Sequence, residues 1–309
     1  MSKVVWLWCT LLLFCSSVLH ADEPGWTLFD RVQQSVTQYN FDSSFVVFKG
    51  SKVETFRWQH GRQDDKEIEH LVPLDADGVD ILRRDNVVYY FLTDRPALVT
   101  TSDSIKELPA ILFQESQQIR KLYTAVLGSS SVMSGHTAQL LRLSANDPGR
   151  HSYWLWIEVE SGFPLRIDVM SEQQTPLERW LVTHMQITPE LPDNLQRLLN
   201  TELPEPTARQ PGATLNPNKL QLSWLPAGYQ LVTDPHIVPQ LQQNLLNYWL
   251  LSDGVHQVSV FVQPTQRMPT QAYRDGATTI YMLSAPEHDI TVIGPVSINV
   301  AERIAAAVR

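Results

Sequence analysis

The chain has 309 residues, with 24 Lys and Arg against 33 Asp and Glu, which gives a formal net charge of −9. This length predicts about two domains, and a composition of 43% hydrophobic and 18% charged residues excludes wholesale disorder. The acidic balance argues against nucleic acid as a partner, because phosphate binding needs a concentrated basic surface. Composition therefore indicates a globular protein and no particular activity.

Residues 1–21 are predicted to be a cleaved secretory signal peptide. Lys3 precedes an apolar run over residues 4–14, which at 11 residues is too short to cross a bilayer of about 30 Å. An uncleaved anchor helix is the alternative. Both cysteines, Cys9 and Cys15, lie in this segment, so the exported product is expected to have no disulfide and no thiolate metal ligand. No later segment is apolar enough to suggest a membrane span.

The first predicted elements are a helix and a β-hairpin. Apolar residues at spacings of three and four predict the helix over 24–39. A change to a period of two then predicts strands over 44–49 and 53–60, joined by a short Gly-Ser turn. In the second strand, Phe56 and Trp58 are expected to share one face.

The following stretch is interpreted as mostly β. Charged residues 61–70 are expected to form a loop or strand edge, and two strands are predicted within 79–91. Residues 109–127 are interpreted as helical, and 128–135 as a Ser/Gly-rich break. The clearest later strands are predicted over 139–143, 153–159, 165–170 and 178–187. Consecutive strands with short turns predict a curved antiparallel sheet.

Four prolines between residues 201 and 219 predict a semi-rigid linker. The expected organisation is therefore a signal peptide (1–21), a large N-terminal domain (22–200), the linker (201–219) and a small α+β C-terminal domain (220–309). The C-terminal domain should contain strands over 245–252, 257–263, 278–283 and 290–294, followed by a final helix. The fold class is thus α+β and strand-rich.

No pattern of catalytic or metal-binding residues emerges. The eight histidines after residue 21 lack the H-x-x-x-H spacing that places two imidazoles on one helical face, and no G-x-S-x-G motif is present. The acidic run 75–80 lacks the terminal Glu of an EF-hand loop and is interpreted as a turn. We therefore expect no enzyme activity, no metal and no cofactor.

Aromatic residues give the one indication of a ligand site. Trp154 and Trp156 alternate on one face of a predicted strand, while Tyr153, Leu155 and Ile157 take the other. A strand that is apolar on both faces either lies in a two-sided core or has one face lining an apolar cavity. The candidate pocket consists of Phe56, Trp58, Tyr90, Trp154 and Trp156.

Several segments resemble the RseB/MucB family of periplasmic regulators of the envelope-stress sigma factor, sigma-E. The strand–turn–strand over 152–168 is similar to one in that family, as is the first hairpin. Further similar segments are Asp77-Gly78 with Arg83-Arg84 and Tyr89-Tyr90-Phe91, Trp224 to Tyr229, Ser252 to Val255, and Ala301 to Ala305. The resemblance runs from about residue 24 to residue 309.

This resemblance implies a lipoprotein-carrier-like half-barrel joined to a smaller domain. It also implies a periplasmic protein that binds the periplasmic region of a membrane-spanning anti-sigma factor and shields it from regulated proteolysis. Lipopolysaccharide-like amphiphiles are the implied signal for release. A lipid or lipoprotein carrier and an exported hydrolase are the alternatives, because fold alone does not define function.

Overall fold

The computed structural model describes residues 24–75, 78–205, 220–232, 245–267 and 269–309. The predicted signal peptide and most of the predicted linker lie outside these residues. The N-terminal part contains α1 (Pro24–Gln38), β1 (Asn40–Lys49), β2 (Lys52–Gln63), β3 (Lys66–Pro73), β4 (Asp80–Arg84), β5 (Val87–Phe91), β6 (Leu98–Thr101), a 3-10 turn (Ala110–Leu112), α2 (Ser116–Leu122), β7 (Tyr123–Met133), β8 (His136–Ala145), β9 (Ser152–Glu158), β10 (Pro164–Met170), β11 (Pro176–Thr188) and α3 (Asp193–Leu199).

The strands β1–β11 form one antiparallel sheet in the order β6-β5-β4-β3-β2-β1-β11-β10-β9-β8-β7. The sheet curves around a single core. Tyr90 of β5 and Tyr153 of β9 both pack against this core, although seven strand spacings, about 34 Å in a flat sheet, separate their strands. The apolar stripe of α1, with Phe29, Val32 and Val36 fully buried, lies inside the curve. The prediction of a curved antiparallel sheet is confirmed.

The opposite, outer face is covered only in part. Helix α3 packs against β2 and β3. Its Leu195 and Leu199 form a second small apolar cluster with Ile68, Leu82 and Tyr89 of the sheet. Helices α1 and α2 pack inside the curve. Over β8 to β1, no helix of the described part of the chain packs on the outer face.

The C-terminal part is a smaller antiparallel sheet with one helix, as predicted. It contains β12 (Gln230–Val232), β13 (Asn247–Ser252), β14 (Gln257–Pro264), β15 (Gln271–Asp275), β16 (Thr278–Ser284), β17 (His288–Gly294) and α4 (Ile298–Ala306), with sheet order β12-β13-β14-β17-β16-β15. The Ser297 hydroxyl caps α4 by accepting from the amide of Val300. Ile304 and Ala305 bury the inner face of this helix against the sheet.

Two local predictions are wrong. Residues 61–70 are neither a loop nor a strand edge but the hairpin of β2 and β3 inside the sheet, because Glu67 pairs with Arg62 and both Glu67 and Glu69 pair with Arg83 of β4. Residues 123–133, predicted as the end of a helix and a Ser/Gly break, form β7. Tyr123 and Ala125 are buried and alternate with exposed Thr124 and Val126, which is the period of a strand. The short elements β6, α3, β12 and β15 were not predicted.

Candidate functional site

The inner face of the large sheet carries an apolar floor near its centre. This floor consists of Phe45, Trp58 and Trp180. The ring centroid of Phe45 lies 5.0 Å from that of Trp180 and 6.5 Å from that of Trp58. Side chains from the other side of the space are Leu108, Pro109 and Leu112. The cavity that remains is about 20 Å³, room for about one water molecule. The floor is therefore almost filled by the protein itself.

Residues 102–122, here called the cover segment, occupy the space above the apolar floor. Ile105, Ile111 and Leu112 are almost fully buried, and the ring of Phe113 meets that of Trp58 edge-on at 6.2 Å. The Gln33 side-chain amide of α1 donates to the carbonyl of Gln114 at 2.6 Å. The cover segment thus closes the inside of the curve, and a ligand could reach the apolar floor only by displacing it.

Three of the five predicted pocket residues share this inner face. Phe56 stacks on Phe45 with ring centroids 5.4 Å apart. The Trp58 indole donates to Glu69 Oε1 at 2.6 Å, and the Tyr90 hydroxyl donates to Glu107 Oε2 at 3.3 Å. Burial raises the pKa of both the Tyr90 hydroxyl and the Glu107 carboxyl above their ordinary values.

The other two predicted residues lie on the outer face. Trp154 and Trp156 are half-buried and alternate with Tyr153, Leu155 and Ile157, which point into the core. Their ring centroids are 6.3 Å apart, and the Arg166 guanidinium lies 4.1 Å from the Trp156 ring centroid. The structure therefore divides the five predicted residues between two faces. They do not line one pocket, and ligand binding by the inner three stays a prediction.

A second cluster, which the sequence did not suggest, lies between the two domains. Arg150 is 4% exposed and forms ion pairs with Asp147, at 2.9 Å, and with Asp253 of the C-terminal part. Its guanidinium also donates to the carbonyl of Ala227 at 3.0 Å and lies 5.3 Å from the ring centroid of Tyr229. One buried cation thus joins four groups, three of which come from the C-terminal part.

Two buried histidines continue this interface. His256 Nε2 lies 2.8 Å from the Tyr153 hydroxyl, and its Nδ1 lies 3.3 Å from Asp253. His151 Nε2 lies 3.0 Å from the carbonyl of Ala277. A neutral His256 ring protonated on Nδ1 satisfies both of its partners, since it then donates to the carboxylate and accepts from the tyrosine.

Burial lowers the pKa of both rings. The pKa of His151 falls to about 4 and that of His256 to about 3, the latter also through the nearby Arg150 charge. Both rings are therefore neutral at pH 7 in the folded protein, whereas the unfolded chain takes up their protons near pH 6.5. Their contribution to stability is complete above pH 6.5 and is lost as the pH falls below it.

We expect the free energy of unfolding to drop by about 2 kcal/mol for each ring between pH 7 and pH 5. The Glu67 carboxyl, with a pKa lowered to about 2, does not titrate in this window. Urea titration at a series of pH values measures the slope. In His151→Gln, which keeps a donor for the Ala277 carbonyl, the slope should be about half as steep. A flat profile between pH 7 and pH 5 would contradict the expectation.

Sequence reasoning missed this interface because its residues are ordinary polar residues far apart in the chain. Arg150 and His151 follow a Pro-Gly pair, and Asp253 precedes Gly254. Both patterns are typical of turns and do not indicate a buried interface. The two histidines were interpreted as exposed or internally satisfied. Both ring nitrogens of His256 have partners, whereas His151 has a partner on Nε2 and its Nδ1 is buried without one. The one available signal was the segment 252–255, whose resemblance to a family strand did not reveal its partner.

Within the described part of the chain, no group of three or more His, Cys, Asp or Glu side chains could hold a metal ion. Of the helices that the structure describes, none is both long and apolar enough to cross a membrane.

Family models match the two parts of the chain in order. The model for the MucB/RseB N-terminal domain matches residues 25–204, and the model for the MucB/RseB C-terminal domain matches residues 214–309. Sigma-E factor regulatory protein RseB of Salmonella typhimurium is 26% identical over 313 residues, covering 99% of this chain and 98% of that protein. Sigma factor AlgU regulatory protein MucB of Pseudomonas aeruginosa is 24% identical over 301 residues, covering 94% and 91%.

Solved structures show the same fold. The complex structure of Pseudomonas aeruginosa MucA/MucB matches with a TM-score of 0.68 and 21% identity, covering 93% of this chain and 99% of that chain. The crystal structure of MucB in complex with MucA(peri) matches with a TM-score of 0.65 and 20% identity, covering 92% and 97%. The similarity therefore extends over both domains and not only over the large sheet.

Proposed function

The chain belongs to the MucB/RseB family, and we propose that it is a periplasmic negative regulator of a sigma-E-type envelope stress response. In this proposal it binds the periplasmic region of a membrane-spanning anti-sigma factor and shields that region from regulated proteolysis. The observation that carries the proposal is the match of both family domains, in order, together with coverage of nearly the full length of relatives named as sigma factor regulatory proteins. The signal peptide over 1–21 would bring the chain to the periplasm.

Shielding requires only binding. A bound protein lowers the fraction of its target that is open to a protease, so the effect follows from affinity and concentration and needs no catalytic group. The docked arrangement of the two domains supports this role. Arg150, Asp253 and His256 hold the domains against each other through a buried polar interface, so both could present one continuous surface to a partner.

Release by a lipopolysaccharide-like amphiphile is the second half of the proposal. An acyl chain that enters between the apolar floor and the cover segment would have to move Leu108 and Leu112. The cover segment also adjoins the C-terminal part, since Ser104 and Lys106 share a cleft of about 350 Å³ with Gly254. Displacement would therefore reach the domain interface, and it would weaken partner binding by as much as the amphiphile prefers the displaced state.

The alternative function of a lipid or lipoprotein carrier fits less well. A cavity of about 20 Å³ holds no acyl chain without rearrangement, and a carrier does not require the second domain. A hydrolase also fits less well. Among the described residues, the Tyr153 hydroxyl lies beside the base His256, but both side chains are buried in the domain interface, where a substrate cannot reach them.

The proposal predicts that purified protein slows cleavage of the anti-sigma factor's periplasmic region by its site-specific periplasmic protease. At ten times the dissociation constant the cleavage rate should fall about tenfold, because about one tenth of the target stays free. Lipopolysaccharide added to the mixture should restore cleavage. In cells, deletion of the gene should raise expression from a sigma-E-type reporter. Unchanged cleavage at saturating protein would overturn the shielding role.

A further inference from the structure

The outer face of the large sheet, where no described helix covers it, carries two regular rows of side chains. The strand register places Arg142, Trp154, Asp168, Arg179, Phe48 and Val53 next to one another in one row across β8, β9, β10, β11, β1 and β2. The second row, two residues away along each strand, consists of Leu140, Trp156, Arg166, Leu181, Val46 and Thr55. We call these twelve residues the outer strip. It spans about 24 Å across the six strands.

The outer strip is apolar and basic, unlike the protein as a whole. Seven of its residues are aliphatic or aromatic, and its charges are three arginines and one aspartate, a net charge of +2 on a chain with a net charge of −9. Phe48 is 38% exposed and Val53 is 54% exposed. A solvent-facing sheet surface normally carries polar residues, so apolar side chains on both sides of the Arg166–Asp168–Arg179 group indicate an interaction surface.

One of the three arginines is placed to receive a carboxylate from a partner. Asp168 is buried and engages Arg166 and Arg179 together, which fixes both guanidinium groups on the strip. Arg142 lies 5.9 Å from the Trp154 ring centroid. Among the described residues it has no acidic partner, and its Nε is buried without a hydrogen-bond acceptor. The strip thus holds one cation whose charge the described part of the chain does not neutralise.

We propose that the outer strip docks an acidic, amphipathic segment of a partner polypeptide, with a carboxylate on Arg142 and apolar side chains over Trp154, Trp156 and Phe48. About seven extended residues span the strip at 3.4 Å per residue. Arginine stacked on an aromatic ring is well suited to this recognition, because the ring covers one face of the guanidinium while its edge donates to the carboxylate. That the partner is the anti-sigma factor rests on the proposed function, whereas the surface itself does not.

Charge and shape favour this occupant over two others. A second copy of the chain docked symmetrically would place the positive strip against itself. A flat anionic membrane would meet the outside of a curved sheet over only part of the strip, and the half-buried indoles under their guanidinium groups do not protrude for insertion. An extended polypeptide can follow the curve.

The test uses the full-length mature chain and three variants. Arg142→Glu and Val53→Glu place a negative charge at the two ends of the first row. Arg197→Glu makes the same charge reversal as the first at an exposed position of α3, away from the strip. Circular dichroism and thermal melting establish that each variant is folded. The probes are a twelve-residue peptide of alternating glutamate and leucine, its lysine–leucine counterpart, and the periplasmic region of the anti-sigma factor.

We expect the glutamate peptide to bind wild type and to lose at least tenfold in affinity in Arg142→Glu and severalfold in Val53→Glu. Arg197→Glu should change affinity less than twofold, and the lysine peptide should bind at least tenfold more weakly than the glutamate peptide. Equal losses in all three variants, or none in the strip variants, would overturn the proposal. A wild-type dimer that dissociates in Val53→Glu would also overturn it. So would wild type that binds phosphatidylglycerol vesicles but not the peptides, with vesicle binding lost in Arg142→Glu.

The anti-sigma region separates this proposal from the proposed function. If wild type binds that region and the strip variants bind it equally well, the outer strip is overturned and the proposed function stands. If wild type binds the glutamate peptide with the expected variant pattern but not the anti-sigma region, the strip stands and the proposed function falls. If wild type binds neither, both fall.

Discussion

Arg150→Met is expected to lower the free energy of unfolding by about 3–5 kcal/mol, the cost of removing one partner from a buried ion pair. Arg150 is 4% exposed, and the Asp253 side chain is fully buried. Without the guanidinium, Asp253 keeps three neutral donors, the backbone amides of Val255 and His256 at 2.8 and 2.6 Å and the His256 Nδ1 at 3.3 Å, and no cation. Because the lost contacts cross between the domains, calorimetry should show two separate transitions in place of a single cooperative one.

The matched control is Arg57→Met. Arg57 also pairs with an aspartate, Asp42, but its side chain is 45% exposed, so the expected loss is about 0–1 kcal/mol. The double variant Arg150→Met with Asp253→Asn should be more stable than the sum of its single changes predicts, by about 0.5–3 kcal/mol, because the second change removes the uncompensated charge. Equal losses of unfolding free energy in Arg150→Met and Arg57→Met would show that the buried interface pair stabilises the protein no more than an exposed pair does.

Periodicity in the sequence predicted those elements whose burial is one-sided. The helix at 24–39, the first hairpin, the strands of β8 to β11 and the final helix are all confirmed within a few residues. In most of these, apolar residues recur at the spacing of the element because one face meets the core and the other meets water. The exception is β9, which is apolar on both faces and was predicted from its run of aromatic and aliphatic residues. The change of period near residue 40 located the boundary between α1 and β1 for the same reason.

The predictions failed where charged residues, or a run of Gly and Ser residues, form hydrogen-bonded strands inside the sheet. In the stretch 61–70, Glu69 is fully buried and accepts from both Trp58 and Arg83. A charged run is expected to face solvent, and only the arrival of Arg83 from β4 makes its burial possible. Similarly, β7 contains Gly128 and a run of serines, which suggest a loop, yet its backbone pairs with β8 on both sides of a register shift.

The candidate site was predictable in composition but not in geometry. The sequence indicated that Trp154 and Trp156 share a face and that Phe56 and Trp58 share a face, and both statements agree with the structure. Nothing in a single sequence says which strand faces are on the same side of a sheet, because that depends on the register of nonadjacent strands. The interdomain cluster was beyond reach for a related reason, since Arg150 and Asp253 are 103 residues apart.

Trp58→Ala is expected to cost about 3–5 kcal/mol of unfolding free energy, the range for truncating a buried tryptophan. Trp58 is 5% exposed, contacts the rings of Phe41, Phe45 and Phe113, and gives Glu69 one of its donors. Trp58→Phe keeps most of the packing and loses mainly the indole N–H, so its cost should be smaller, about 1.5–3 kcal/mol for a hydrogen bond to a charged group.

Trp156→Ala is the comparison that separates the two faces of the sheet. This side chain is half-buried and packs under Arg166, so its removal should cost only about 1 kcal/mol. Urea titration monitored by circular dichroism gives both values without relying on the tryptophan signal. If amphiphiles enter beneath the cover segment, Trp58→Phe should change their affinity and Trp156→Ala should leave it unaltered, because Trp58 lines that space and Trp156 does not. A loss of several kcal/mol in Trp156→Ala would place that indole in the core and contradict its position on the outer strip.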